Sequence, residues 1–256
     1  MKLFYVKKSD SCWIVSVLGI KIKIKKAKEI GILPITVYLF DDISVEKITC
    51  TSMLPKNMKV CVDPRLTQDE AKSNVLKIHK SFRARGVRVE YTYGCTNSLC
   101  VLEDSTTGSG IEALIIMMSG DKNELKIDKG TAMNGTKIFL GNGSKCFIGK
   151  NCIFSYEITI RTTDGHVILS KDNGQILNEQ KVPCVIGDHC WIGMRTIINK
   201  NVNIADNTIV GSGSVVTRQF DEQYTVIAGN PAGVIKTGVT FDENTIYTYK
   251  KGTCKC

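Results

Sequence analysis

The stretch IGDHCWIGMRTIINKNVNIADNTIVGSGSVV (Ile186–Val216) carries an aliphatic residue at every sixth position: Ile186, Ile192, Ile198, Ile204, Val210 and Val216. An α-helix would repeat at about 3.6 residues and a strand at about 2, so a strict six identifies a repeating coil of short strands and tight turns. The residue after each aliphatic is Gly187, Gly193, Asn199, Ala205 or Gly211, and four places after it stands Cys190, Thr196, Val202, Thr208 or Ser214. A narrow triangular coil needs this pattern. Each aliphatic points inward, a small residue sits where backbones crowd, and Gly or Asn serves where a turn takes positive φ.

Working outward, a second run precedes the first, with Ile148, Phe154 and Ile160 at the same spacing and Gly149 and Cys152 in the matching slots. The interval from 148 to 186 is 38 residues, not a multiple of six, so an insertion must leave the coil. The polar, turn-rich segment SKDNGQILNEQK (Ser170–Lys181) is its core. The frame weakens toward Ile127 and Met133. It also accounts for several of the 11 cysteines. Cys152 and Cys190 fall in the small slot, with Cys146 and Cys184 six residues before them, so they read as packing residues. An odd count without a C-x-x-C pair argues for reduced thiols. Cys254 and Cys256 have no assigned place.

Residues 1–120 lack the sixfold period and read as a small α/β module of unassigned role, followed by the coil at 121–238 and a tail at 239–256. Expected elements are a strand at Pro34–Phe40, a helix from Thr67 to about Arg85 with Asp69 and Glu70 in its first turn and Gly86 as its stop, and strands at Val87–Tyr93 and Leu99–Glu103 before a loop at Asp104–Gly110. His79 falls on that helix as a surface residue. The alternating Lys and Ile stretch Gly19–Lys28 reads as a strand whose lysines 21, 23, 25, 26 and 28 protect an edge, with docking on an anionic polymer or membrane as the alternative.

The net charge of +9, from 34 Lys and Arg against 25 Asp and Glu, favours an anionic partner. No zinc-finger spacing or aromatic RNA-binding signature accompanies it, so nucleic acid is not expected. Lys7 and Lys8 precede the apolar stretch Trp13–Ile20, but KIKIKK follows it where a signal peptide has a small-residue cleavage site. No run reaches the roughly 20 apolar residues of a membrane-spanning helix. The expected location is cytoplasmic, with peripheral association at the inner membrane face left open.

Four phrases, IGKNCIFSYEITIRTTDGH (148–166), IGDHCWIG (186–193), IVGSGSVVTR (209–218) and IAGNPAGVIK (227–236), give the segment Ile148–Gly238 a resemblance to the hexapeptide-repeat acyltransferases. Within them it resembles bacterial enzymes that O-acetylate capsule, O-antigen or sialic-acid sugars. The resemblance covers roughly a third of the chain and leaves residues 1–120 outside. It implies a mainly β protein with a C-terminal left-handed parallel β-helix and a protruding loop. It also implies a homotrimer with sites between neighbouring coils, acetyl-CoA as co-substrate, no metal, and a sugar or polysaccharide acceptor. The positive charge makes an acidic acceptor attractive.

In that family the histidine of the D-[GS]-H phrase is a general base, which here is His166. Imidazole titrates near working pH, so it can take the proton of an attacking hydroxyl at little cost. Glu157 and Asp164 are the nearest acidic candidates to orient it, although relatives often carry Asp at the position of Glu157. By the same resemblance, backbone groups at Gly193 and Met194 lie near the thioester and stabilise a developing oxyanion. Ser212, Thr217 and Arg218 match positions that hold the pantetheine arm and phosphates, and Lys236 a basic residue after the A-G-N-P turn. Relatives often have Gly where Met194 stands. Trp191 either stacks on the acceptor, shapes the cofactor channel or simply packs, and His189 reads as a surface turn residue. An N-acetyltransferase acting on a nucleotide-linked amino sugar and a non-catalytic scaffold stay open as alternatives. A zinc hydratase on this coil needs three converging histidines, and only three exist, with His79 outside the repeat.

Overall fold

The computed structural model describes residues 4–8, 12–17, 20–25, 32–105 and 110–253. The sixfold frame becomes three faces of a prism. Ile186 and Ile204 lie on face one, Ile192 and Val210 on face two, and Ile198 and Val216 on face three, each paired in parallel register with the residue one turn away. Eighteen residues make one turn of this coil, from Ile186 to Ile204. Below it, Ile148, Phe154 and Ile160 occupy the same three faces, in register with Ile186, Ile192 and Ile198.

These columns fill the interior. Ile186, Ile192, Ile198, Ile204, Val210 and Val216 are all at most 1% exposed. Each such aliphatic contributes roughly 1.5–3 kcal/mol of burial. The slot four places on is closed as well, since Cys190, Thr196, Val202, Thr208 and Ser214 are fully buried. The slot directly after the aliphatic is small for a different reason. A Cβ on Gly193 would stand 2.6 Å from the Ser212 nitrogen and the Val210 oxygen of the next turn. Positive φ falls two residues later, at His189, Arg195, Asn201, Asn207 and Gly213.

The coil is longer than its sixfold signature. Strands Ile32–Phe40, Val75–His79 and Leu99–Leu102 continue face one, Ala84–Arg85 and Ile111–Glu112 face two, and Met58–Val62, Val87–Tyr91 and Ile115–Ser119 face three. The expected boundary at 120/121 coincides with no break in these ladders: Leu99–Leu102 pairs residue for residue with Glu124–Ile127. Strands within residues 32–105 and 110–120 thus supply turns of the coil itself, and Ile78, Leu102 and Ile127 extend the interior column of Ile148 and Ile186.

The expected helix from Thr67 to Arg85 is corrected to Gln68–Ser73, opened by a capping box between Thr67 and Glu70. It stops because buried Leu76 and Ile78 alternate with half-buried Val75 and His79 and exposed Lys77, and burying that strand period on face one outweighs continuing the helix. His79 accordingly ends a strand, its ring edge-on to Phe40 at 5.3 Å. The strands expected at Pro34–Phe40, Val87–Tyr93 and Leu99–Glu103 form within those ranges or close to them, as Ile32–Phe40, Val87–Tyr91 and Leu99–Leu102.

Ahead of the coil, Phe4–Lys8, Cys12–Val17 and Ile20–Lys25 form a three-stranded antiparallel sheet. Lys26 and Lys28 of the basic stretch, part of the loop at Asp104–Gly110, and Cys254 and Cys256 lie outside the described residues. At the far end a hairpin, Thr225–Gly229 with Ala232–Thr237, closes face two, and a helix at Ile246–Thr253 follows. Among the described residues, no helix is long and apolar enough to cross a membrane.

Candidate active site

The insertion departs after the face-three strand Ile158–Arg161 and returns at Cys184 on face one, so it leaves from the edge between those faces. It folds on itself through an antiparallel bridge between Leu169 and Ile176. Asn178 joins its ends. Its Oδ1 accepts from Ile168 N at 2.8 Å, while its Nδ2 donates to the His166 carbonyl at 2.8 Å and to Asp164 Oδ2 at 2.7 Å. Asp164 Oδ2 also pairs with Lys200 Nζ from the next turn of the coil. Lys200, together with Asn178, holds the Asp164 carboxyl below the usual carboxylate range against a desolvation that opposes it.

His166 lines a pocket of about 500 Å³ with Asn142, Thr163, Asp164 and Asn178. Its backbone carbonyl is held by Asn178, and Gly165 before it takes φ +81°. Among the described residues neither expected carboxylate bonds to that imidazole. Asp164 is committed to Lys200 and Asn178. Glu157, at φ +59° on the edge between faces two and three, pairs with Arg195 at 2.7 Å, with both side chains well exposed. Glu157 therefore braces a turn, and Asp164 braces the loop that carries the histidine.

The residues expected near the thioester lie elsewhere on the prism. Gly193, Met194 and Ser212 follow the face-two strands Trp191–Ile192 and Ile209–Val210, so they occupy the edge between faces two and three. Gly193 N–H is spent in the ladder, donating to Val210 O at 2.8 Å. Of the expected donor pair, Met194 N–H is then the candidate for an oxyanion, and the half-exposed Met194 side chain stands beside it. Trp191 projects outward from face two, 41% exposed. Lys236 is exposed on the closing hairpin of the same face. Thr217 and Arg218 follow the face-three strand Val215–Val216, on the edge of His166, and the Arg218 guanidinium lies 5.0 Å over the Phe220 ring.

One copy of the chain thus divides the expected site. His166, Asp164, Thr217 and Arg218 share one edge, whereas Gly193, Met194 and Ser212 share another, with Trp191 and Lys236 on the adjoining face. Pattern reading missed Asn178, Lys200 and Arg195, which brace the turns, and Phe241 of the tail, which stacks on His189 at 4.2 Å and leans on Trp191 at 5.9 Å. Arg195 had a signal, since it fills the positive-φ slot of its repeat; the others had none. Among the described residues, no group of three or more His, Cys, Asp or Glu side chains could hold a metal ion.

Three faces of parallel strands, an 18-residue turn and a looped-out histidine define a left-handed parallel β-helix of hexapeptide repeats. Residues 183–218 match the family described as Bacterial transferase hexapeptide (six repeats). This segment, a small part of the chain, is similar to the hexapeptide-repeat transferases. Galactoside O-acetyltransferase of Escherichia coli (strain K12) is 35% identical over 91 residues, 35% of this chain and 42% of that protein. Polysialic acid O-acetyltransferase of Neisseria meningitidis is 38% identical over 76 residues, 30% of this chain and 35% of that protein. The chain spans about half or less of the curated relatives it matches. In three dimensions it is similar to the polysialic acid O-acetyltransferase OatWY, with a TM-score of 0.62 over 78% of this chain and 92% of that one. At 24% identity this is a likeness of fold.

Proposed function

We propose that the protein is an acetyl-CoA-dependent O-acetyltransferase acting on a hydroxyl of a glycan or its sugar precursor, with His166 as general base. The observation that carries this reading is His166 itself, held at a pocket by the Asn178–Asp164–Lys200 network where the insertion leaves the coil. Imidazole there takes the proton of the acceptor hydroxyl as the oxygen attacks the thioester carbonyl. The carbonyl electrons move onto oxygen, which Met194 N–H stabilises. As the tetrahedral intermediate collapses, the C–S bond breaks and the imidazolium returns its proton to the CoA thiolate. Products are the acetyl ester and free CoA, and no acyl-enzyme forms.

The division of the site between two edges supports a homotrimer in which one copy supplies His166 and a neighbour supplies Trp191, Met194 and Ser212. The loop favours such an arrangement, because Val167, Ile168, Leu169, Ile176 and Leu177 are each 46–57% exposed in a single copy and would be covered by a second. The cations Arg218 and Lys236 would then meet the anionic phosphates of the cofactor from two subunits. The net charge of +9 and the likeness to the polysialic acid O-acetyltransferase support an acidic sugar as acceptor, while the galactoside relative keeps a neutral sugar in the panel.

The test is to incubate wild type and His166→Ala with acetyl-CoA and a panel of bacterial glycans, reading acceptor mass directly. An acetyl gain that is lost in His166→Ala and removed by mild alkali supports the ester and the base. A gain that resists alkali points to an amide, and full activity in His166→Ala refutes the mechanism.

A further inference from the structure

The C-terminal tail reaches back to the outer surface of face two. Val239 N donates to Tyr224 O at 3.0 Å, which ties the tail down as it leaves the closing hairpin. Asp242 Oδ1 then accepts from Asn244 N at 2.8 Å and Asn244 Nδ2 at 2.7 Å, closing a turn. Between these two anchors stands Phe241. Its ring lies parallel to His189, 4.2 Å between centroids and 8° apart in plane. His189 is itself fixed, with φ +52° at the edge between faces one and two and Nδ1 hydrogen-bonded to Asn207 Oδ1 at 3.0 Å. Phe241 meets Trp191 at 5.9 Å and 50°. That separation lies within the range of a favourable tilted aromatic pair.

An outward-facing indole in the middle of a flat face has little to choose its rotamer. Its neighbours in the outward column, Ile153 and Ile209, are small beside it. We propose that Phe241 is a positioning residue: the relay Asn207–His189–Phe241 sets the ring plane of Trp191, and through it the affinity for the acceptor sugar. The catalytic consequence rests on the acetyl-transfer reading above, whereas the relay itself does not. Phe241 touches no reacting atom. It acts through Trp191, and it gives residues 239–244 a part in acceptor selection.

The chain has two tryptophans, so a Trp13→Phe background leaves Trp191 as the one indole. In it, Phe241→Ala, His189→Ala and Phe241→Tyr are compared by acrylamide quenching and fluorescence anisotropy, then by steady-state kinetics with acetyl-CoA and the glycan that wild type acetylates. The expected result is faster quenching and lower anisotropy in both alanine variants. Acceptor KM should rise roughly 3- to 10-fold, the equivalent of one aromatic pair. The value of kcat and the KM for acetyl-CoA should stay within about two-fold, because the relay acts on ground-state acceptor binding, and Phe241→Tyr should restore both signals. Unchanged quenching in both alanine variants overturns the relay. Altered quenching with unchanged acceptor KM overturns its role in acceptor binding. A uniform loss of kcat, both KM values and Tm shows a merely structural contact and overturns the proposal as well. If wild type acetylates no glycan, the acetyl-transfer reading fails while the quenching arm still decides the relay.

Discussion

Lys200 pairs with Asp164 across one turn of the coil, and this ion pair ties the His166 end of the loop, braced internally by Asn178, to the prism, while Gln180 and Asn201 hold its returning end. The lysine is only 17% exposed, so the pair is shielded on one side. Lys200→Ala or Asn178→Ala should free the loop without unfolding the coil. Hydrogen exchange should rise over residues 163–180, and, if His166 is the general base proposed above, kcat should fall roughly 10- to 100-fold as its geometry is lost. Tm should drop by no more than about 4 °C, the equivalent of one partly exposed ion pair. Loss of global stability with an unchanged loop would contradict the assignment.

The same pair sets a pH dependence. The folded-state pKa of Asp164 is depressed, so its contribution is fully present above the unfolded value of about 3.9 and is lost as pH falls through the lower folded value. Loop protection should therefore be flat from pH 8 to pH 5 and collapse only in strong acid. Exchange measured across that window checks it, and loop release near pH 6 would show that some other group holds the loop.

Gly193→Ala tests the steric reading of the repeat. Its Cβ would meet backbone atoms at 2.6 Å, which cannot move without breaking a ladder. The cost should be about 1–3 kcal/mol, or roughly 2–10 °C in Tm. Gly213→Ala meets nothing within 4 Å and carries only the strain of φ +73°, so it should cost less. Differential scanning fluorimetry of the two proteins gives the comparison.

The packed cysteines should be inert. Cys95, Cys100, Cys146, Cys152, Cys184 and Cys190 are fully buried, whereas Cys50 and Cys61 are half-buried. Cys184 beside Cys146, and Cys190 beside Cys152, raise the thiol pKa of Cys146 and Cys152, and burial adds to it. In native protein, iodoacetamide should label Cys50 and Cys61 well before these six, which react only on unfolding. Peptide mapping over a time course reads the order directly.

How much was legible follows the length of each turn. From Ile186 to Val216 no residue interrupts the eighteen-residue turn, so the period survives in sequence and gives both the faces and the interior. Between Ile78, Leu102 and Ile127 the turns take 24 and 25 residues, because corners are longer, and the sixfold frame dissolves although the three residues stack in one column. Local alternation still revealed strands at 87–91 and 99–102, but a strand's partner 25 residues away leaves no local trace. The site divides in the same way. The phrase around His166 and the insertion after it are contiguous and readable, whereas Lys200 reaches Asp164 over 36 residues and Phe241 reaches His189 from an aperiodic tail.

Whether the site is shared between copies is decided most directly by subunit mixing. His166→Ala and Trp191→Ala are each purified, shown to be depleted in acetyl transfer, then co-assembled at equal ratio and assayed. If the protein is the proposed homotrimer in which one copy supplies His166 and its neighbour Trp191, each mixed trimer has one complete site, about one site in four over the whole random population, and activity should recover to roughly a quarter of wild type. If both residues serve a site within one copy, no mixed assembly contains an intact site, and activity no greater than the mean of the two parents would contradict the shared-site reading.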